Sequence, residues 1–417
     1  MDTKLNNHDL EILRRLAGKK MRYATDTVNL ERQQAWYDLD GGGSHRPMVL
    51  AEFGGVRDAK CPIPLEIFEC QDEWARGLEW GLRSEIWQFE VLKDDHVIAP
   101  YINTNWVVNA SDYGVQRIEH RADGAIMGAY SWEPALKNLD EDFGKLKPRR
   151  FSVDRAASMA LKERLERVFA GIMPVRVRGK YWWTLGMTIN AINLIGLENL
   201  MLYMFDNPEG LHRLMNFLCE DNLAYARWLE AEGLLSLNNE NDYIGSGSMG
   251  YTRDLPQKDL PSGGHVRMKD QWVLLESQET VGVGPELFAE FIFPYQKKIA
   301  EQFGKCYYGC CEPVDNRWHV LKNIANLARV SVSPWAKEEF MADACGNAVV
   351  YSRKPNPSQI SMTGFDETAI LADLRKTIRI AGKCRLEIIM KDVHTLNNEP
   401  QRISRWVELA RQAIAGD

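Results

Sequence analysis

The chain has 417 residues, 45% of them hydrophobic, and a formal net charge of −7 with both signs dispersed along it. There is no lysine/arginine run and no apolar stretch near roughly twenty residues, so neither nucleic acid nor a membrane is an expected partner. Eight cysteines in a chain this long do not make a disulfide scaffold.

The N-terminal segment, MDTKLNNHDLEILRRLAGKK, carries charges among its apolar positions and lacks the apolar core of a signal peptide, so a cytoplasmic location is expected. PMVLAE (47–52) reads as a first strand after a GGGSHRP turn. From about 53 to 150 the chain is irregular and tryptophan-rich. We read residues 1–150 as containing elaborations over one mouth of a single domain that spans 1–417.

MPVRVR (173–178) reads as a strand, 192–202 and 211–229 as helices, and GLLSL (233–237) as a buried strand. The stretch 241–272 is too long for an ordinary connection and is expected to be a lid-like insertion. It contains GSGSMG (245–250), which fits the dinucleotide pattern G-x-G-x-x-G, with Asp270 twenty positions on. Two prolines and a Gly-Gly pair follow in place of a helix, so we set nucleotide binding aside and read a glycine-rich lid.

Pro285 opens a helix with Phe288, Phe291, Ile292, Tyr295, Ile299 and Phe303 on one face, and Pro294 should kink it. Strand and helix then alternate. Strands are expected at 305–308, 328–332, 348–351 and 385–390, and helices at about 316–325, 337–344, near 370–378 and near 403–414. Alternation of this kind implies parallel strands and right-handed crossovers. The fold class expected is α/β, a (β/α)8 TIM barrel, with a doubly wound sheet as the alternative.

In such a barrel the chemistry sits where strands end. Residues after the expected strands include Trp182 and Trp183; Glu240 and Asp242; Tyr308, Cys310, Cys311 and Glu312; Trp335; Lys354; and Lys391, Asp392 and His394. Cys310, Cys311 and His394 suit zinc, with Glu240, Glu312 or Asp392 as an oxygen ligand. Equally, a cysteine here is a small buried side chain, and His394 a hydrogen-bonded structural one. Adjacent cysteines diverge in extended chain, so one of the pair should face the site. Trp182, Trp183 and Trp335 could stack on a flat substrate or cap the core. Lys354 could bind a carboxylate or brace its loop. Glu240 and Asp242 are acid, base or ligand candidates, or simply solvated.

The segment SQETVGVGPELFAEFIFPYQKKIAEQFG (277–304) resembles the uroporphyrinogen decarboxylase superfamily, in which an SPE-F-EF--PY helix precedes a strand ending in H-x-C-G. Tyr308-Gly309-Cys310 stands at that H-x-C position, and IIMKDVHTLNNEP resembles the family's last strand and following helix start. The resemblance covers roughly 170–417. It implies a (β/α)8 barrel and either a cofactor-free decarboxylase or a zinc-dependent methyltransferase. Members of the second kind move methyl groups between thiols, corrinoid proteins and methylated substrates such as aryl methyl ethers.

The resemblance puts zinc on the H-x-C cysteine, here Cys310. Tyr308 replaces the usual histidine, and Asp392 or His394 stands where a late cysteine would be. The decarboxylase's R-Q-A-G-R pattern is missing from HRPMVLAEFGGVRDAKCP, which offers Arg46 and Arg57. The preferred expectation is therefore a metal-assisted methyltransferase acting on a small methylated substrate, aromatic ones included, with a corrinoid protein or thiol as acceptor. Cys310 would hold the metal, Glu240 or Asp392 would handle the proton, and the tryptophans would hold the substrate. The alternative is a metal-independent decarboxylase or lyase with Tyr308 and Asp392 as acid and base and Lys354 or Arg57 on a carboxylate. A non-catalytic barrel that binds a corrinoid partner or small ligand is a third reading. A homodimer is left open.

Overall fold

The computed structural model describes residues 5–43, 46–121, 130–179 and 184–416. Its centre is a six-stranded, all-parallel sheet. In chain order the strands are β1 (Met48–Ala51), β2 (Trp272–Leu275), β3 (Lys305–Tyr308), β4 (Leu327–Val332), β5 (Val350–Arg353) and β6 (Leu386–Met390), arranged β1-β6-β5-β4-β3-β2. Four helical crossovers join β2 to β6 in chain order, as the alternation implies. The helix expected at 316–325 is instead a short 3-10 turn and a single α turn, Trp318–Leu321. The helix opened by Pro285 breaks at Ile292 into Pro285–Phe291 and Phe293–Ala300, because Pro294 has no N–H to continue the ladder.

Side chains alternate across the sheet with period two. One face is apolar and packs on the helices: Val273, Leu275, Cys306, Tyr308, Val330, Val332, Tyr351, Ile388 and Met390 share one core cluster. The other face is buried yet largely polar, with Tyr307, Arg329, Ser331, Ser352 and Glu387. Buried polar groups are costly unless hydrogen-bonded, and these bond largely to one another. Arg329 Nη1 donates to Ser248 Oγ (2.7 Å) and meets Glu387 Oε2 (3.3 Å), while Tyr307 Oη donates to Ser352 Oγ (3.0 Å).

The ladders do not close into a ring among the described residues. Ile102–Asn105 pairs with Val175–Arg178 as a separate parallel ribbon. The expected strand at 233–237 lies outside any ladder; Gly233 is a turn residue at φ +67°, and Leu234 and Leu235 are buried. Side chains do the bridging there: Asn238 brackets Trp272, accepting from its N–H (2.8 Å) and donating to its carbonyl (3.1 Å), and Ser236 Oγ accepts from Gly179 N (2.8 Å).

The segment 241–272 departs from the expected lid. Its first part is a tight hairpin, Tyr243–Gly245 with Ser248–Met249, and residues 244–251 are all buried against the polar face of the sheet. The glycines of GSGSMG are there for close approach. A Cβ on Gly245 would stand 2.6 Å from the Tyr307 ring, and one on Gly247 would stand 2.6 Å from Ile389.

The N-terminal region opens with two helices, Asn7–Ala24 and Thr27–Gly41, capped by Asn6 and Asp26. Among the described residues no helix is long and apolar enough to cross a membrane.

Candidate active site

The C-terminal ends of the six strands deliver Glu52, Glu276, Cys310, Ser333, Lys354 and Lys391 to one end of the sheet. The turn after β3 makes the centre. Gly309 adopts φ +94°, a conformation that favours glycine, and a side chain there would press on Ser331. The chain then bends so that Glu312 accepts from the backbone N–H of Cys310 (2.9 Å) and of Ser277 (2.8 Å). Both carboxylate oxygens of Glu312 are thus used to pin the turn, and Ser331 Oγ donates to the Cys310 carbonyl (2.7 Å).

Because the turn is bent, the two thiols converge instead of diverging: Cys310 Sγ and Cys311 Sγ are 3.6 Å apart. Lys391 Nζ lies 3.6 Å from Cys310 Sγ and 3.3 Å from Ser246 Oγ at the hairpin tip. Cys311 Sγ donates to Asp392 Oδ2 (3.5 Å). Asp392 is held at φ +59°, uncommon for a side-chain-bearing residue, and its other oxygen stands 3.6 Å from Lys391 Nζ.

This asymmetry decides which sulfur is ionised. The Cys311 hydrogen bond, then the Lys391 ammonium, pull the Cys310 thiol down to about 7 against its burial. Cys311 moves the other way, raised by its hydrogen bond to Cys310 and by burial, with the charges of Cys310 and Asp392 adding to both. Of the pair, Cys310 is the thiol whose ionisation is favoured and Cys311 the one whose ionisation is opposed.

Three more groups at this end are perturbed. Burial brings the Lys354 ammonium down to about 7; its Nζ donates to Tyr307 Oη (3.1 Å) and also meets Ser352 Oγ. Burial and the neighbouring Glu312 raise the Glu276 carboxyl well above the usual range. Burial also raises Glu52, with Lys391 opposing.

Several expected site residues stand elsewhere. Tyr308 faces the helix layer, where its hydroxyl donates to Gln296 Oε1 (2.8 Å); strand alternation turns Tyr307 inward in its place. His394 is exposed beside Gly55, away from the thiols. Glu240 is half exposed and 3.9 Å from Arg176, and Asp242 is paired with Arg178 (2.6 Å). Arg57 donates to the Gly54 (2.8 Å) and Val56 (3.0 Å) carbonyls. The Trp335 indole is 64% exposed. Trp182 and Trp183 lie outside the described residues.

The zinc expectation does not fit the groups present. Among the described residues no three His, Cys, Asp or Glu side chains form a group that could hold a metal. At Cys310 the neighbouring cation is the Lys391 ammonium.

Sequence reasoning collected Lys391 without giving it a role and passed over Tyr307, Glu276 and Glu52. The signal was available: Arg329, Ser331 and Ser333, then Ser352 and Lys354, then Glu387 and Lys391 stand at alternate positions, marking the inner face of each strand.

No family model matches the chain, and no curated protein matches it. Among solved structures, a methyltransferase from Methanosarcina mazei is similar at 10% identity, with a TM-score of 0.48, over 91% of this chain and 98% of that one. At that score the likeness carries no argument about chemistry.

Proposed function

We propose that the protein is a methyl-transferring enzyme in which the Cys310 thiolate, held by Lys391, is the nucleophile. The observation that carries this reading is the 3.6 Å approach of Lys391 Nζ to a buried Cys310 whose thiol is pulled down to about 7. A thiolate at neutral pH is the form that attacks carbon. The resemblance of 277–304 to the uroporphyrinogen decarboxylase superfamily supports methyl as the group moved. The gathering of functional side chains at one end of a parallel sheet supports a (β/α)8-type barrel.

In this reading the Cys310 sulfur forms a bond to the methyl carbon of the donor, and the carbon–heteroatom bond breaks with its electron pair leaving on the donor. Glu276, kept protonated by burial beside Glu312, supplies a proton where the departing group is an oxyanion. An acceptor nucleophile, a thiol or a corrinoid carried by a partner protein, then takes the methyl. The sulfur–carbon pair returns to Cys310, where the Lys391 ammonium stabilises the thiolate again.

The test is intact-mass analysis after incubation with candidate methyl donors. Expected is a methyl adduct on the Cys310 peptide and loss of turnover by about a hundredfold or more in Cys310→Ser. Full turnover by Cys310→Ser would contradict the reading.

One observation favours a second reading, a metal-independent lyase or decarboxylase acting on a small carboxylate. Lys354 is a buried amine near neutrality, bonded to Tyr307 Oη. Such a pair could protonate the carbon left when carbon dioxide departs with the carboxylate carbon. This reading predicts that Cys310→Ser stays active and Lys354→Met does not.

A further inference from the structure

Beside the end of β1 lies a cleft of about 570 Å³ whose lining includes neither thiol. Its walls include Glu52 and Phe53 from the end of β1, Trp80, Ser84 and Glu85 from the helix Glu73–Trp87, and Asn241. Three polar atoms in these walls are buried without a hydrogen-bond partner among the described residues: Ser84 Oγ, Glu85 Oε2 and Asn241 Oδ1. Ser84 is only 8% exposed. Such orphans cost free energy unless something satisfies them, and all three line the same cavity.

The chemistry of the walls narrows what that is. The glutamate and amide oxygens are acceptors and the serine hydroxyl accepts as well as donates, so a ligand with donors would satisfy all three. The lining holds two carboxylates and no lysine or arginine. The cations behind it are already engaged. Lys20 Nζ takes the other oxygen of Glu85 (2.9 Å), and Lys391, whose charge also favours the Glu52 carboxylate, faces Cys310 and Asp392. His96, also in the wall, is held neutral, its pKa brought down to about 4 by burial and by Lys20 and Arg32. Trp80 and Phe53 add aromatic surface, and Trp80 is 46% exposed. Carboxylates, aromatic faces and unfilled acceptors together are the recognition chemistry of an organic cation with N–H donors.

We infer that this cleft is a binding site for a protonated amine, with the ammonium between Glu52 and the Glu85 Oε2–Ser84–Asn241 acceptors and the carbon skeleton against Trp80. The assignment concerns binding and stands apart from the thiol chemistry.

Benzylammonium, with benzyl alcohol and benzoate as its neutral and anionic counterparts, tests it by calorimetry and saturation-transfer NMR on the full chain. The ammonium should bind about tenfold or more tighter than the alcohol, and benzoate should not bind. Glu52→Gln and Trp80→Ala should each weaken the ammonium several-fold. Trp80 is exposed enough that its loss should leave the thermal transition in place, and Cys310→Ser should bind as the wild type does. Equal affinity for alcohol and ammonium, a preference for a neutral polyol such as glucose, or undiminished binding in Trp80→Ala and Glu52→Gln would overturn the inference.

Discussion

Tyr307 and Tyr308 are adjacent, equally buried and chemically identical, yet they belong to different layers. Tyr308 bonds Gln296 among the helices, and Tyr307 bonds Ser352 and Lys354 on the inner face. Tyr308→Phe should therefore cost about 1 kcal/mol of stability, the worth of one hydrogen bond, with turnover nearly unchanged. Tyr307→Phe leaves the Lys354 amine short of a partner and should lower turnover more than stability. Chemical denaturation and steady-state kinetics on the two variants separate these effects. The motif position held by Tyr308 pointed to the right turn but to the wrong face, because a one-residue difference in a strand reverses direction.

Glu276 belongs to the same scale. Its folded pKa is raised above the unfolded one by burial and Glu312. The native state therefore keeps a proton that the unfolded state gives up, and stability from this group is present below the unfolded carboxylate range and lost as pH rises towards the folded value. Glu276→Gln has no such loss. Its melting temperature relative to wild type should improve steadily from acid to neutral pH; a constant difference between the two would contradict the assignment.

At the scale of elements, the hairpin 243–249 matters most. Its sequence reads as a flexible loop because glycine and serine usually mark one. Here the same residues let backbone lie against the polar face of the sheet, with Ser248 joining Arg329 and Glu387 and Ser246 reaching Lys391. Gly247 sits at φ +87°, with Ile389 and Glu52 where its Cβ would be. Gly247→Ala should destabilise the fold by about 2 kcal/mol or more through backbone strain and contact. It should also displace Ser246 and so change the reactivity of Cys310. Denaturant unfolding checks the first effect and alkylation rate the second.

The proline-broken helix, by contrast, was legible in full, since a missing N–H acts locally. The hairpin was not, because close approach is set by partners distant in sequence such as Tyr307 and Ile389.

At the scale of the whole molecule, the alternating strands and helices of the second half identify a parallel sheet, and five of its six strands fall within two residues of where periodicity puts them. The sixth, β2, starts at the last residue of the stretch read as a lid and runs on to Leu275, where no strand was expected. The closing side of the sheet was less legible. Asn238 and Ser236 stand in for ladder bonds there, and side-chain bridges leave no hydrophobic period to read.

The site follows the same division. Strand ends locate Cys310, Lys391 and Lys354, but the pairing of Cys310 with Lys391 depends on the bend pinned by Glu312, which neither spacing nor composition encodes. The sheet's interior charges also fix the frame. Arg329 meets Asp40 and Glu387 at 3.3 Å each, all three buried, tying the second N-terminal helix to the sheet.

What the molecule converges on is a Cys310 thiol drawn towards the thiolate by the Cys311 hydrogen bond and the Lys391 ammonium. The pH dependence of Cys310 alkylation, followed by mass spectrometry of its peptide, measures this directly. The reactive form should titrate in with a midpoint near 7 in the wild type. In Lys391→Met the midpoint should rise by at least about one pH unit. A Cys310 that titrates as an ordinary buried thiol, or a midpoint unmoved by Lys391→Met, would contradict the account.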